Sequence, residues 1–242
     1  MVEVTAELSA TAALLGAEAV EKMAKAKAAV FGLGGAGGYA AEALARSGVG
    51  AIDLIDGDKI SLSDINRQIT ALHSTVGMLK TDACAARLSD ISPDIILRKF
   101  PLFLNENSIG AFDFSEYDYI IDTMNDTAAK VLLAEICARL DIKMISFMGA
   151  ENRLDPMSFK VCDIFSSSVT PAVRVLRHEL RSRGVERLKV VFSTELPITD
   201  GNLPASCAFA PAAAGMLIAA EAVRELISDE NGQQSAENGY FT

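Results

Sequence analysis

Residues 28–39 read Ala28-Ala29-Val30-Phe31-Gly32-Leu33-Gly34-Gly35-Ala36-Gly37-Gly38-Tyr39. A short apolar run leads into a G-x-G-x-x-G loop. Helical spacing then takes over from Tyr39 to Ser47, and Gly48 supplies a C-terminal stop. Strand, glycine turn and helix in this order open a parallel βαβ unit. The glycines allow a tight turn and let backbone N–H groups approach a phosphate, and the helix N-terminus favours the anion. A nucleotide is therefore expected here. Its identity stays open at this point, because nicotinamide dinucleotides use the same loop. The next apolar run, Ala51–Ile55, ends at Asp56, where a carboxylate can accept ribose hydroxyls.

The pattern repeats outward from this unit. Residues 7–27 read as one Ala-rich helix, with Leu14, Leu15, Ala19, Val20 and Met23 at helical spacing. Met78–Ile91 reads as a helix stopped before Pro93, and Ile95–Phe100 as a strand. Tyr119–Ile121 is a further strand ending at Asp122. Residues 128–140 follow as a helix whose expected buried side is Val131, Leu132, Ala134, Ile136 and Leu140. Lys143–Phe147 is the fifth strand. Strands alternating with helices at this spacing predict an α/β fold, a Rossmann-like and mostly parallel sheet with helices on both faces. Phe159–Cys162 and Val190–Ser193 read as additional strands on the sheet edge. Pro211–Ile227 reads as a closing helix. One domain over 1–228 is expected, with a flexible charged crossover at 163–190 and a loose polar tail at 229–242.

Composition narrows the class. The chain has 242 residues, 50% of them hydrophobic, and a formal net charge of −10. That is enough chain for one sizeable core, and too apolar for a disordered protein. The acidic balance argues against a broad nucleic-acid-coating surface. Cys84, Cys137, Cys162 and Cys207 are far apart, and His73 and His178 stand alone, so no zinc-ligand spacing is present. Scattered cysteines of this kind fit a reducing, cytoplasmic setting, and Cys207 reads as structural. The uncharged stretch Leu203–Ala220 is mostly Ala, with Pro204, Pro211 and Gly215, and is expected to be a buried helix and no stable membrane span.

The residues after the second strand bear on the ligand. Asp56-Gly57-Asp58 is followed by Ser61-Leu62-Ser63-Asp64-Ile65-Asn66-Arg67-Gln68 and then by Val76-Gly77-Met78-Leu79-Lys80. Hydride transfer places no large charge here, whereas a triphosphate does. A guanidinium can fork onto phosphate oxygens and an ammonium can neutralise them as a point charge.

With G-x-G-G-x-G, D-G-D, N-R-Q and V-G-x-x-K in this order, the chain resembles the ThiF/MoeB/HesA family, relatives of ubiquitin-activating enzymes. The resemblance implies ATP- and magnesium-dependent adenylation of a carboxylate by a cytoplasmic homodimer, a ligase-type chemistry. It implies that Gly34 and Gly35 approach the phosphates and that Asp56 takes the ribose. Asp58, Ser63, Asp64, Asn66 and Arg67 would line the ATP site. Arg67 and Lys80 would be the catalytic charges as pyrophosphate leaves. Asp122, Asn125 and Asp126 fall where the family binds base and magnesium, with Asn125 and Asp126 as the metal ligands.

The paired cysteines of the zinc-binding branches are absent. Phe147-Met148-Gly149-Ala150, Leu154-Asp155-Pro156, Val191-Phe192-Ser193 and Ala208-Phe209-Ala210-Pro211 are instead similar to the branch that adenylates threonylcarbamoyladenosine in tRNA. In that branch a nitrogen of the nucleoside itself then closes a ring. Activation of a small sulfur-carrier or ubiquitin-like protein is the alternative within the family, and an adenylation-impaired nucleotide-binding relative is another. The chain departs from the pattern at Ala10-Thr11, where the family carries an Arg that reaches the partner's ATP, at Thr70 in place of His, and at Asn125 in place of Asp. These departures predict weakened adenylation. Between Arg174 and Lys189 the basic residues outnumber the acidic ones, and Arg174, Arg177 and Arg181 form a candidate tRNA contact.

Overall fold

The computed structural model describes residues 4–166, 171–199 and 205–228. Among these the strands are β1 Lys27–Phe31, β2 Ala51–Ile55, β3 Ile96–Phe100, β4 Tyr119–Asp122, β5 Met144–Phe147, β6 Phe159–Asp163 and β7 Lys189–Ser193. The helices are α1 Ser9–Leu15, α2 Ala17–Lys25, α3 Gly37–Arg46, α4 Lys80–Ile91, α5 Thr127–Leu140, α6 Pro171–Ser182 and α7 Phe209–Ile227. The strands form one seven-stranded sheet in the order β3-β2-β1-β4-β5-β7-β6. All neighbours run parallel except β6, which is antiparallel to β7.

Both faces of the sheet are covered, and this is why β1 is apolar at consecutive positions rather than alternate ones. Ala28 and Val30 face one core, with Met23, Ala40, Leu44, Leu88 and Ile218 from α2, α3, α4 and α7. Ala29 and Phe31 face the other, with Phe112, Phe114, Leu133 and Ile136. A third apolar cluster seats α6 through Val173, Leu176 and Leu180 on Val131, Ala134 and Val190. The strand order turns back between β1 and β4, where Phe31 is in register with Asp122. The crevice beyond the carboxyl ends of these two strands is where such sheets take ligands.

Several expectations are corrected. The N-terminal helix is not continuous. It breaks at Gly16, whose φ of +91° favours glycine, and Lys27 belongs to β1. Leu14 is 83% exposed, and Leu140 lies on the exposed last turn of α5. The strand at 189–193 is not on the edge. It sits between β5 and β6, because its apolar residues serve two cores. Much of the charged crossover is the helix α6. No helix among the described residues is long and apolar enough to cross a membrane. The described part of the 203–220 stretch lies largely in α7, which buries Ala210, Ala214, Ile218 and Ala222. The expected tail at 229–242 lies outside the described residues.

Helix α7 packs hard against the start of α3. A Cβ on Gly215 would lie 2.3 Å from the Ala36 carbonyl oxygen and 2.9 Å from Tyr39 Cβ. Gly215→Ala therefore forces the helices apart. Overpacking of this kind costs roughly 1–3 kcal/mol, and a lowered thermal midpoint with weaker nucleotide binding is the expected result in melts run with and without ATP.

Candidate functional site

The glycine loop leaves β1 at a point where only glycine fits. Gly32 has φ +89°, and a Cβ there would meet the Thr123 carbonyl at 2.9 Å. A Cβ on Gly37 would lie 1.9 Å from the Gly32 oxygen. Thr123 Oγ1 donates to that same oxygen at 2.7 Å, so the loop is clasped to the end of β4. Gly34, by contrast, faces open space, and nothing lies within 4 Å of a Cβ built there. That space is a cavity of about 780 Å³.

The cavity is lined by the polar or charged residues Asp56, Asp58, Lys80, Asn125 and Asp126 beside Gly34. Its apolar lining is Ile55, Leu102, Leu104, Met124, Ala129 and Leu132. Asp56 is buried at the end of β2. Its Oδ2 accepts the Leu33 N–H at 2.7 Å and its Oδ1 accepts the Asp58 N–H at 2.8 Å. Each oxygen keeps one further lone pair for a ligand. Burial pushes this carboxyl above the usual aspartate range, against the pull of Lys80 and the two N–H groups. Lys80, at the first turn of α4, is buried with its Nζ 3.0 Å from Asp58 Oδ2 and 3.9 Å from Asp56 Oδ2. The spacing that joined D-G-D to a later lysine thus brings three charges together.

The sign of the Asp56 shift gives a pH prediction. A carboxyl whose folded pKa is raised favours the protonated native state. Its contribution to stability is present at low pH and is lost as pH rises from its unfolded value through the folded one. Protonated, Asp56 has lost acceptor capacity for a ribose. Nucleotide affinity is expected to fall on acidification at a higher pH than an ordinary aspartate would give. Titration of ATP binding against pH checks this, and Asp56→Asn should remove the dependence.

Ser63, Asp64, Asn66 and Arg67 are brought together beside the cavity rather than along its wall. Asp64 caps its own turn by accepting from the Ser61 N–H at 2.9 Å and takes the Gln68 amide at 2.7 Å. Arg67 donates to the Ser63 carbonyl at 2.7 Å, to Asn66 Oδ1 at 3.0 Å and to Asp64 Oδ1 at 3.3 Å. Its Cγ lies 3.7 Å from where a Gly35 Cβ would be, so the stem of the side chain passes next to the glycine loop. Asn66 Nδ2 donates to the Ser206 carbonyl, tying this turn to the segment with the half-buried Cys207.

Asp122 does not line the cavity. It is fully buried behind it, accepting from Lys130 Nζ at 3.0 Å, from Ser146 Oγ and from the Met124 N–H at 3.0 Å. Lys130 also donates to the Phe147 carbonyl at 2.8 Å. Asp126 is the N-cap of α5, with one oxygen accepting the Ala129 N–H at 2.8 Å and the other left over. No cluster of three or more metal-ligating side chains occurs among the described residues. Sequence reading missed Lys130, although a lysine inside the apolar run of α5 was a visible signal. It also missed the wall at Leu102–Asn107 and Arg183, which carry no local pattern.

Known proteins resemble this chain over most of its length. The model of the ThiF family matches residues 8–241. The tRNA threonylcarbamoyladenosine dehydratase of Bacillus subtilis is 37% identical over 234 residues, covering 89% of this chain and 92% of that protein. The crystal structure of the Escherichia coli tRNA N6-threonylcarbamoyladenosine dehydratase with AMP superimposes with a TM-score of 0.87 at 30% identity. It covers 94% of this chain and 98% of the other. The structure of that enzyme with ATP also gives 0.87 at 30% identity, covering 93% and 97%.

Proposed function

Because the chain belongs to the ThiF family, we propose that it adenylates the threonine carboxylate of threonylcarbamoyladenosine in tRNA, using ATP, and so converts the nucleoside to its cyclic form. The observation that carries this reading is the cavity in which the open face of Gly34 meets the buried Lys80 and Asp56 and the exposed Asp58. A glycine loop alone would serve many nucleotides. A buried ammonium beside it, with Arg67 anchored at the same loop, suits a triphosphate that must lose pyrophosphate.

The residues divide the work. Backbone N–H groups of the loop hold phosphate, and the spare lone pairs of Asp56 accept ribose hydroxyls. The apolar lining of the cavity receives the base. Lys80 and Arg67 offset negative charge as the carboxylate oxygen bonds to the α-phosphorus and pyrophosphate departs. A nitrogen of the nucleoside then attacks the activated carbonyl and AMP leaves, so the nucleoside loses the elements of one water. No protein nucleophile is required.

Magnesium, when bound, supplies charge neutralisation on the phosphates. The amide oxygen of Asn125 and the uncapped oxygen of Asp126 are hard donors of the type it takes, beside substrate phosphates. A neutral amide binds it more weakly than a carboxylate, so slower adenylation is the expected consequence. The reading includes a homodimer, supported by Leu14 exposed on α1 in the segment where the family reaches its partner. It places the protein in the cytoplasm, where tRNA and ATP meet.

The deciding assay incubates the protein with ATP, magnesium and tRNA bearing threonylcarbamoyladenosine. AMP release and loss of one water from the nucleoside, seen by mass spectrometry, are expected. Absence of both from folded protein that binds ATP would refute the reading.

A further inference from the structure

Helix α6 presents two chemically distinct faces. Val173, Leu176 and Leu180 are buried, whereas Arg174, Val175, His178 and Arg181 are exposed along the opposite side. At i, i+4 and i+7, Arg174, His178 and Arg181 form a single stripe. Arg177, grouped with the other arginines by sequence alone, lies at the edge of this face and donates to the Ile164 carbonyl at 2.5 Å. His178 occupies its place on the outward stripe. The guanidinium of Arg181 lies over the Phe165 ring, 5.0 Å from its centre. Directly after the helix, Arg183 lines the nucleotide cavity, with Nη1 2.8 Å from Glu135 Oε2. The stripe and the cavity are thus joined through a few residues of chain.

We infer that the outward face of α6, Arg174–His178–Arg181 backed by Phe165, is the docking surface for the RNA substrate, and that Arg183 marks where the RNA enters the cavity. The inference rests on the proposed tRNA substrate and adds the place where it binds. Three observations favour RNA over an acidic protein. Arginine is the side chain suited to forked contact with phosphate oxygens. An exposed guanidinium beside an aromatic ring is a pairing on which a splayed base can stack, as single-stranded RNA loops require. The stripe also runs to the cavity where a nucleoside carboxylate has to meet ATP. In a chain of net charge −10, a local excess of cations beside the active cavity selects where a polyanion lands.

The test measures binding of unmodified tRNA to the full chain by fluorescence anisotropy over a range of potassium chloride concentrations. The triple variant Arg174→Ala, His178→Ala, Arg181→Ala is compared with the native protein, alongside Arg174→Lys, Arg181→Lys. ATP binding and thermal melting serve as folding checks, since none of these side chains lines the cavity. The expected result is at least a tenfold weaker Kd for the triple variant. Its log–log salt slope should be shallower by about 0.7 for each phosphate that is no longer neutralised. The lysine variant should keep the slope and bind somewhat less tightly. If native protein binds tRNA and the triple variant matches it in affinity and slope, the surface is wrong while the proposed function stands. Weaker binding with an unchanged slope also overturns it. If native protein binds ATP but no tRNA even at low salt, both this surface and the tRNA reading fall.

Discussion

Lys80→Ala is expected to lower ATP–pyrophosphate exchange by about three orders of magnitude, in the range found when a charge that stabilises a phosphoryl-transfer transition state is removed. The argument rests on position. Lys80 Nζ is buried and lies between Asp58 and Asp56 at 3.0 and 3.9 Å. One of its N–H groups is used on Asp58, and two remain for phosphate oxygens. Removing it takes away the transition-state charge and leaves the two carboxylates facing the phosphates unopposed. It also removes the strongest influence holding the Asp56 carboxyl down. That carboxyl should then rise further above the aspartate range, so stability in Lys80→Ala should decline more steeply as pH increases. Lys80→Arg restores the charge without the shape and should recover part of the rate. Exchange assays on the three proteins, with ATP affinity measured separately, check this. Equal exchange by Lys80→Ala would remove Lys80 from the chemistry.

The largest stability effect should come from Lys130→Met. Asp122 is wholly buried at the end of β4, and Lys130 is its charge partner, also bonded to Ser146 and the Phe147 carbonyl. Deleting one member of a buried pair leaves the other uncompensated and costs roughly 3–5 kcal/mol. At about 2–4 °C per kcal/mol for a chain of this size, the thermal midpoint should drop by roughly 10 °C. The pairing also joins β4, α5 and β5 just behind Asn125 and Asp126, so nucleotide affinity should weaken as well. The double variant Lys130→Met, Asp122→Asn removes the orphaned charge and should recover much of the stability, because Ser146 and the Met124 N–H still face that position. A double-mutant cycle by thermal denaturation decides it. Additive effects would mean that the two side chains do not act as a pair.

The features legible in the sequence are those encoded locally. The glycine loop, the run of parallel strands and the charges after β2 each rest on spacing within a few residues, and the structure has them in place. Gly16 was missed because a glycine inside an Ala-rich helical pattern looks tolerable. Only its backbone angle reveals the break. The interior position of β7 was missed because strand order depends on pairings between distant segments. Asp122 was assigned to the ligand because a carboxylate at the end of a strand reads the same whether it faces a cavity or a lysine on the next helix. Leu140 has helical phase for burial, but it falls on the last turn of α5, which is exposed. The Leu102–Asn107 wall has no motif at all. It is a matter of shape, and shape appears only when the chain is folded.

The packing of α7 on the glycine loop sets the order of assembly. Gly215 lies under Ala36 and Tyr39, and Pro211 comes to 3.0 Å from where a Gly35 Cβ would be. A loop written near the start of the chain is thus completed by a helix close to its end, across a very high sequence separation. Such pairings form late, because a long stretch of backbone must be ordered before they close. On the ribosome the loop emerges early and waits for α7. Chains cut before Phe209 should carry every residue proposed to hold phosphate and still bind no ATP, because the loop lacks the helix that packs against it.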